Sequence, residues 1–309
     1  MDSIRAQETR YKTSSSFYVE AGVGYDTNVN SGAANAVIDV PTLGTVQLTP
    51  AGVKSAGGFA HLAAGANVTH PVAPGVSLIG GLSYEGKDHS SDFNRQFDLQ
   101  TLGGYGGFSV VKDRDLWRAS ASLSSLTVGT VRFRDMGSLG GEWHRQVDEL
   151  NTFSLFGQAA RLNYLQTPVR NSDFYAIGAG WRRAFVGKMQ PVLQLQALLG
   201  NEQNGAAPVR NDLSRHLVTL RAGLSITPAP KWGASVGLNY TPSRYRDNDI
   251  FANVKRSDDY YGLDATLSYR WTRAASVRVE YLYSDNRSNI ALYQYNREVL
   301  ALKLRYDFQ

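Results

Sequence analysis

Long segments of this chain alternate apolar and polar residues with a period of two, and that pattern excludes most folds. In "SVRVEYLY", Val277, Val279, Tyr281 and Tyr283 share one face, and Ser276, Arg278, Glu280 and Leu282 share the other. "KWGASVGLNY" sets Trp232, Ala234, Val236, Leu238 and Tyr240 against Gly233, Ser235, Gly237 and Asn239. "YYGLDATLSYRW" sets Tyr261, Leu263, Ala265, Leu267, Tyr269 and Trp271 against a face holding Gly262, Asp264, Thr266, Ser268 and Arg270. In "REVLALKLRYDF", Leu300, Leu302, Leu304, Tyr306 and Phe308 oppose Arg297, Val299, Ala301, Lys303, Arg305 and Asp307. Side chains point alternately to the two faces of a strand, so each segment is a β-strand with one apolar and one polar face.

Extended along the chain, this pattern yields about 14 strands, at 17–29, 58–70, 76–88, 95–111, 115–128, 137–147, 151–164, 172–185, 190–200, 213–226, 231–245, 258–271, 275–286 and 295–308. Their connections alternate. "PVAPG", "KDRD", "DEL", "VGKM", "PAPK" and "TRAA" are tight, whereas 30–57, "SSDFN", "TVRFRD", "QTPVRNS", "NEQNGAAPVRND", "RDNDIFANVKRS" and "NRSNIALY" are longer and polar. Short turns on one side and long loops on the other mark an all-β transmembrane antiparallel up-and-down β-barrel, with periplasmic turns and extracellular loops. An even strand count puts both chain ends on the short-turn side. The strands recur about every 22 residues, whereas a soluble sandwich would repeat at roughly 8–12 residues. No propeller-type repeat appears.

Aromatic residues fit the same reading. Trp232, Trp271, Tyr306 and Phe308 fall at short-turn ends of outward faces, and Tyr25, Tyr84, Tyr240 and Tyr283 near long-loop ends. Two such girdles suit the two membrane interfaces. Mean hydropathy is −0.30, and no apolar run approaches the roughly 20 residues of a membrane helix. Strands that face water on one side escape such a scan. Thirty glycines and 17 tyrosines also disfavour a helical protein. The polar start, 1–16, reads as a linker from a missing periplasmic domain, leaving 17–309 for the barrel.

The inner faces collect small residues and charges. The expected pore-lining cations are Arg118, Arg182, Arg221, Arg270, Arg278, Arg297, Lys303 and Arg305, and the anions include Glu20, Asp26, Asp264, Glu280 and Asp307. Isolated buried charge is costly, so this wall must be hydrated or internally paired. One reading is a ladder of ion pairs bracing the barrel; the other is a basic passage for an anionic solute or an extended polypeptide. The first extracellular loop, 30–57, is apolar, and its "VIDV" and "TVQL" are spaced to form a hairpin around "PTLG". It either plugs the lumen or stands outside as a partner-binding flap.

Enzymatic and metal chemistry find little footing. There is no cysteine, which removes disulfides and thiolate sites. Asp26, Asn28 and Asn30 have the spacing that starts an EF-hand loop, but Ser31 replaces the required glycine and Val37 the final glutamate. The five histidines show no paired spacing, and "GLSYEG" is not a nucleophile elbow. No catalytic residue, metal or cofactor is therefore expected. The net charge is +5, but the cations are dispersed over the strands, which argues against nucleic acid as a partner.

Two segments carry a family resemblance. "VEAGVGYDTNVNSG" resembles the start of the C-terminal barrel in the surface lipoprotein assembly modifier family, and "YSDNRSNIALYQYNREVLALKLRYDF" resembles that family's closing hairpin. The resemblance covers the whole chain in architecture and its two ends in motif. Gln309 after Phe308 departs from the usual terminal aromatic. It implies a barrel in the outer membrane of a Gram-negative bacterium, in contact with outer-membrane lipids and preceded by a periplasmic domain of tetratricopeptide repeats. Its implied function is a translocon that moves lipoproteins or related protein cargo to the cell surface; no catalytic residues come with it. The competing function is a porin or polysaccharide-export channel for an anionic solute.

Overall fold

The structure, a computed structural model, describes residues 12–308 apart from residue 41. Fourteen strands close into a single antiparallel barrel in which every strand pairs with its neighbours in sequence and the first pairs with the last. They are β1 (Ser14–Asp26), β4 (Gly57–Ala73), β5 (Val76–His89), β6 (Leu99–Lys112), β7 (Asp115–Val128), β8 (Val131–Gln146) and β9 (Asn151–Tyr164). The circuit continues through β10 (Ser172–Ala184), β11 (Val192–Asn204), β12 (Arg215–Ile226), β13 (Trp232–Asn248), β14 (Lys255–Arg270), β15 (Ala275–Ser288) and β16 (Tyr295–Phe308). Two short strands, β2 (Val37–Val40) and β3 (Gly44–Gln47), form a separate hairpin inside the first loop.

Closure is what a bilayer demands. Hydrocarbon offers no partner to backbone amides, so every strand edge must be paired. The β1–β16 ladder runs from Phe17 opposite Phe308 to Asp26 opposite Val299. Outward positions form an apolar band: Leu123, Leu139 and Ile177 are 74%, 66% and 64% exposed. Such a band is tolerable only against lipid. At the short-turn end it is edged by rings in contact, Trp117 with Trp143, Trp232 with Tyr269, and Tyr306 with Phe308. Tyr240 stacks on Tyr261 nearer the long loops, and Tyr25 is exposed beside them. The chain is a closed β-barrel built to span a bilayer.

Some boundaries differ from the sequence reading. The first strand begins at Ser14 and ends at Asp26 rather than spanning 17–29, so 14–16 belong to the barrel and not to a linker. Of the rest of that linker, residues 1–11 lie outside the described residues and 12–13 precede the strand. "TVRFRD" is not a loop: β8 starts at Val131, and the connection shrinks to residues 129–130, with Gly129 at φ +60°. Phe133 is the extra residue of a bulge, where Leu126 faces Arg134 but Thr127 faces Arg132. The alternation of short and long connections therefore fails there, and it blurs again where seven residues, 185–191, join β10 to β11. β14 starts three residues early at Lys255 and stops at Arg270, leaving Trp271 in the turn. Strand ends that rise beyond the hydrocarbon see water on both faces, so their sequence loses the apolar-out signal. That is why 131–136 and 246–248 read as loop.

The first loop does form the hairpin. Ile38 and Val40 turn inward onto Ala252 and Ile290 of the two neighbouring long loops, with Val46, Leu48, Val254 and Tyr293 packed around them. The Thr42 hydroxyl donates to the Phe251 carbonyl. Among the described residues the hairpin thus stands on the extracellular loops after β13 and β15.

Candidate functional site: the inner wall and its seam

The ladder registers place Glu20, Asp26, Arg118, Arg182, Arg221, Asp264, Arg270, Arg278, Glu280, Arg297, Lys303 and Arg305 on the inner face, but the inner face is not uniform. From β6 to β11 it is mostly neutral and small, with Ser120, Ser122 and Ser124 on β7 and Gln194 and Gln196 on β11. Charge gathers on the arc from β12 through the seam to β5. Dispersal over the strands, as the sequence implied, is therefore not the pattern seen in three dimensions.

Two carboxylates of β1 organise the seam. Asp26 is fully buried. Arg297 of β16 grips it through two nitrogens, Nε to Oδ1 at 3.0 Å and Nη2 to Oδ2 at 2.5 Å, and Lys87 of β5 donates at 2.5 Å. Nearer the short-turn end of the same strand, Glu20 is held by Arg278 of β15, by His61 Nε2 at 3.2 Å and by Lys303 at 3.7 Å. Lys303 also binds Glu280 at 2.8 Å, which Arg278 approaches at 3.5 Å. These networks tie β4, β5, β15 and β16 to β1, across the only junction that chain connectivity does not hold. A buried carboxylate with this many charge-assisted partners is satisfied, whereas one left alone would be prohibitive.

The Asp-Thr-Asn-Val-Asn run completes the junction. The Asn28 amide donates to the carbonyls of Gly32 (3.0 Å) and Asn296 (2.8 Å), and its oxygen accepts from the Gly32 N–H at 2.9 Å. The Thr27 N–H donates to the Glu298 carbonyl, and the Glu298 N–H returns to the Thr27 hydroxyl, each at 2.9 Å. The two segments that carry the family resemblance are therefore one structural unit, the closing joint of the barrel. Asp26 has its oxygens committed to two cations, an environment opposite to a calcium site.

Glycines make room for this wall. A Cβ on Gly24 would meet the Phe59 ring at 2.4 Å and the Leu300 carbonyl at 2.6 Å. Phe59 in turn supports Lys87, whose Nζ lies 4.1 Å from the ring centroid.

The remaining inner charges differ in how far they are satisfied. Arg221 binds Asp264 at 2.9 Å, and Arg305 binds Asp307 at 2.7 Å while stacking over Tyr18. Arg118, Arg182 and Arg270 have no carboxylate within 4.0 Å among the described residues. They cluster by height. Arg118 is the fourth residue of β7, Arg182 third from the end of β10 and Arg270 the last of β14, all at the short-turn, periplasmic end. Beside the seam, a cavity of about 430 Å³ is lined from β4 and β5, from β15 and β16, and from β12, β13 and β14. Sequence reasoning did not single out His61, Glu85 or Lys87. The alternation of "GGFAHLA" puts His61 on the face of Phe59, a signal masked by the small residues around it.

The extracellular cap holds its own polar knot. The Tyr293 hydroxyl donates to Asp249 at 2.8 Å, and the Phe251 and Ala252 amides donate to the same carboxylate. Burial and the Asp249 contact push the Tyr293 hydroxyl up to about 12. Burial alone would raise the Asp249 carboxyl, but the Ala252 amide, Tyr293 and the Phe251 amide together bring it below its ordinary value.

No protein-family model matches the chain, and no match is found among curated proteins. Solved structures do match. OmpT, an outer membrane protein of Vibrio cholerae, shares 9% identity at a TM-score of 0.53, over 96% of this chain and 98% of that one. A Pseudomonas aeruginosa FadL homologue shares 12% at 0.50, over 96% and 90%. An anion-selective porin from Comamonas acidovorans shares 10% at 0.50, over 96% and 99%. Identity at this level speaks to fold, the outer-membrane barrel, and leaves function to the residues of the inner wall.

Proposed function

We propose that this barrel is an outer-membrane channel for cargo that carries carboxylates, engaged first at the periplasmic rim. The observation behind this reading is the set of rim guanidiniums with no carboxylate within 4.0 Å among the described residues, Arg118, Arg182 and Arg270; the first two stand on the mostly neutral serine- and glutamine-rich wall, where Glu142, opposite Arg118, is held by His144 instead. Paired charges brace a barrel, whereas unpaired ones set a field in a water-filled passage and raise the local concentration of counter-ions. The seam network belongs to the first kind and the rim to the second. The test is ion selectivity of the purified barrel in planar bilayers. Anions are expected to permeate better than cations, and Arg118→Gln, Arg182→Gln and Arg270→Gln together should move the reversal potential toward zero. A wild-type barrel that passes no current, or a triple variant with unchanged reversal potential, defeats the reading.

A second reading is a translocon that delivers lipoproteins or related protein cargo to the cell surface, served by a periplasmic tetratricopeptide-repeat domain preceding the barrel. It is favoured by the joining of the two family-like segments, 19–32 and 283–308, into one joint. Deleting the barrel should then abolish surface exposure of a co-expressed cargo. Unchanged exposure would exclude this role. An anionic polysaccharide or small solute in place of protein fits the rim equally, and the residue-level predictions on selectivity are the same.

A further inference from the structure

We infer that the cavity beside the seam is a binding site for a small zwitterion, a solute bearing an ammonium and a carboxylate. Its lining follows an arc of the inner wall from β12 through β15 and β16 and past β1 to β4 and β5, so side chains far apart in sequence reach one space. Most of the charges in that lining are closed into tight pairs. Lys87 and Arg297 share Asp26 at 2.5 Å each, Lys303 holds Glu280 at 2.8 Å and Arg221 holds Asp264 at 2.9 Å. Glu85 is the exception. Its side chain is 68% exposed, and its one charge partner among the described residues is His61 Nδ1 at 3.9 Å, whose Nε2 is already engaged with Glu20.

Two cations share Asp26, so Lys87, Arg297, Lys303 and Arg221 outnumber Asp26, Glu280 and Asp264 by one, and Glu85 brings this wall into balance. Held by no Lys or Arg among the described residues, Glu85 is the open acceptor for a solute ammonium with several N–H donors. Across the same cavity, Arg221 is 52% exposed and spends a single terminal nitrogen on Asp264, so its remaining donors are free for a second carboxylate. Asp264 lies close against Gly237, where a Cβ would come within 2.5 Å of its Oδ1. Tyr260 and Asn239 add a hydroxyl and an amide to the lining. A simple anion meets Glu85 and a simple cation meets Arg221, each a repulsive contact. A zwitterion satisfies both, and net neutrality removes the penalty of bringing a charge into a balanced wall. The volume is within the range of small-molecule sites.

The site deepens the channel reading and rests on it only in that solute must reach the cavity. The test is calorimetric titration of the detergent-solubilised barrel with L-alanine, and with propionate, ethylammonium and maltose as comparisons. L-alanine should bind saturably, with the two single-charge analogues much weaker. Glu85→Gln and Arg221→Gln should each weaken L-alanine by about tenfold or more. Heat-modifiable migration on gels checks that each variant folds. Ethylammonium or maltose binding as tightly as L-alanine overturns the proposal in favour of a cation or sugar site. No saturable binding to the folded barrel overturns it outright. Calorimetry needs no conduction, so a barrel that binds L-alanine without passing current sinks the channel reading alone, and one that conducts anions without binding L-alanine sinks the site alone.

Discussion

Asp26→Ala is the sharpest probe of how the barrel closes. The carboxylate is fully buried and accepts from Arg297 twice, from Lys87 and from the Asn28 backbone N–H at 3.0 Å. Deleting it leaves two cations with side chains only 24% and 14% exposed facing each other without a counter-charge. Removing one partner from a buried ionic network costs about 3–5 kcal/mol, most of it the penalty on the charges left behind. That origin makes a second claim. With Arg297→Met and Lys87→Met added, the stranded charges disappear, so the triple variant should recover much of the loss, with a coupling energy of about 2 kcal/mol. The assay is equilibrium unfolding of the refolded barrel in detergent, followed by tryptophan fluorescence and by the gel shift between folded and unfolded forms. A loss below about 1 kcal/mol for Asp26→Ala, or strictly additive costs in the combined variant, would refute the view that the seam is an electrostatic lock.

Three further outcomes follow from the same geometry. Leu302→Arg, outward and mid-strand on β16, should destabilise the folded barrel by about 2–4 kcal/mol in lipid; the neighbouring Lys303 is a poor control, because it binds Glu280 and Glu20, so Ser122→Ala on the neutral wall is the better comparison, and equal costs would invert the assignment of faces. Gly24→Ala should cost about 1–3 kcal/mol by overpacking against Phe59 and the Leu300 carbonyl, and should be relieved by Phe59→Leu; an unchanged unfolding midpoint would mean the wall yields freely. The Tyr293–Asp249 contact gives the cap a pH window: the tyrosine's raised value means its contribution is whole below pH 10 and lost as pH rises through about 12, while the lowered Asp249 carboxyl contributes above the ordinary value of 3.8 and fails on acidification below it. A spin label at Thr45 should therefore gain mobility at the alkaline end, and the gain should vanish in Tyr293→Phe; a label equally mobile at pH 9 and pH 12 would remove the pair from any role in seating the hairpin.

Sequence patterning alone determined the class of this protein. A bilayer forces the same two-residue rhythm on every strand that crosses it, so the apolar faces of 276–283 and 299–308, the strand number and the side of the membrane holding the chain ends are all local properties. So is the hairpin at 37–47, whose strands and turn are near neighbours in the chain. Strand ends above the membrane were lost because water on both faces erases the rhythm, as at 131–136. Only tertiary structure decided what the inner charges do. Glu20 and Arg278 are separated by most of the chain, as are Asp26 and Arg297, and they meet only because the barrel closes there. No local spacing distinguishes Arg297, which locks the seam, from Arg182, which faces the lumen alone. The same holds for "FYVEAGVGYDTNVNSG". Its alternation announces a strand, but Thr27 and Asn28 make sense only against Glu298 and Asn296 on the last strand, and Asn30 only against Ala51 and Val53 across the first loop. Alternation is written into neighbouring residues because a face is a local thing, whereas pairing of charge across a closed sheet depends on which distant strands the closure brings side by side.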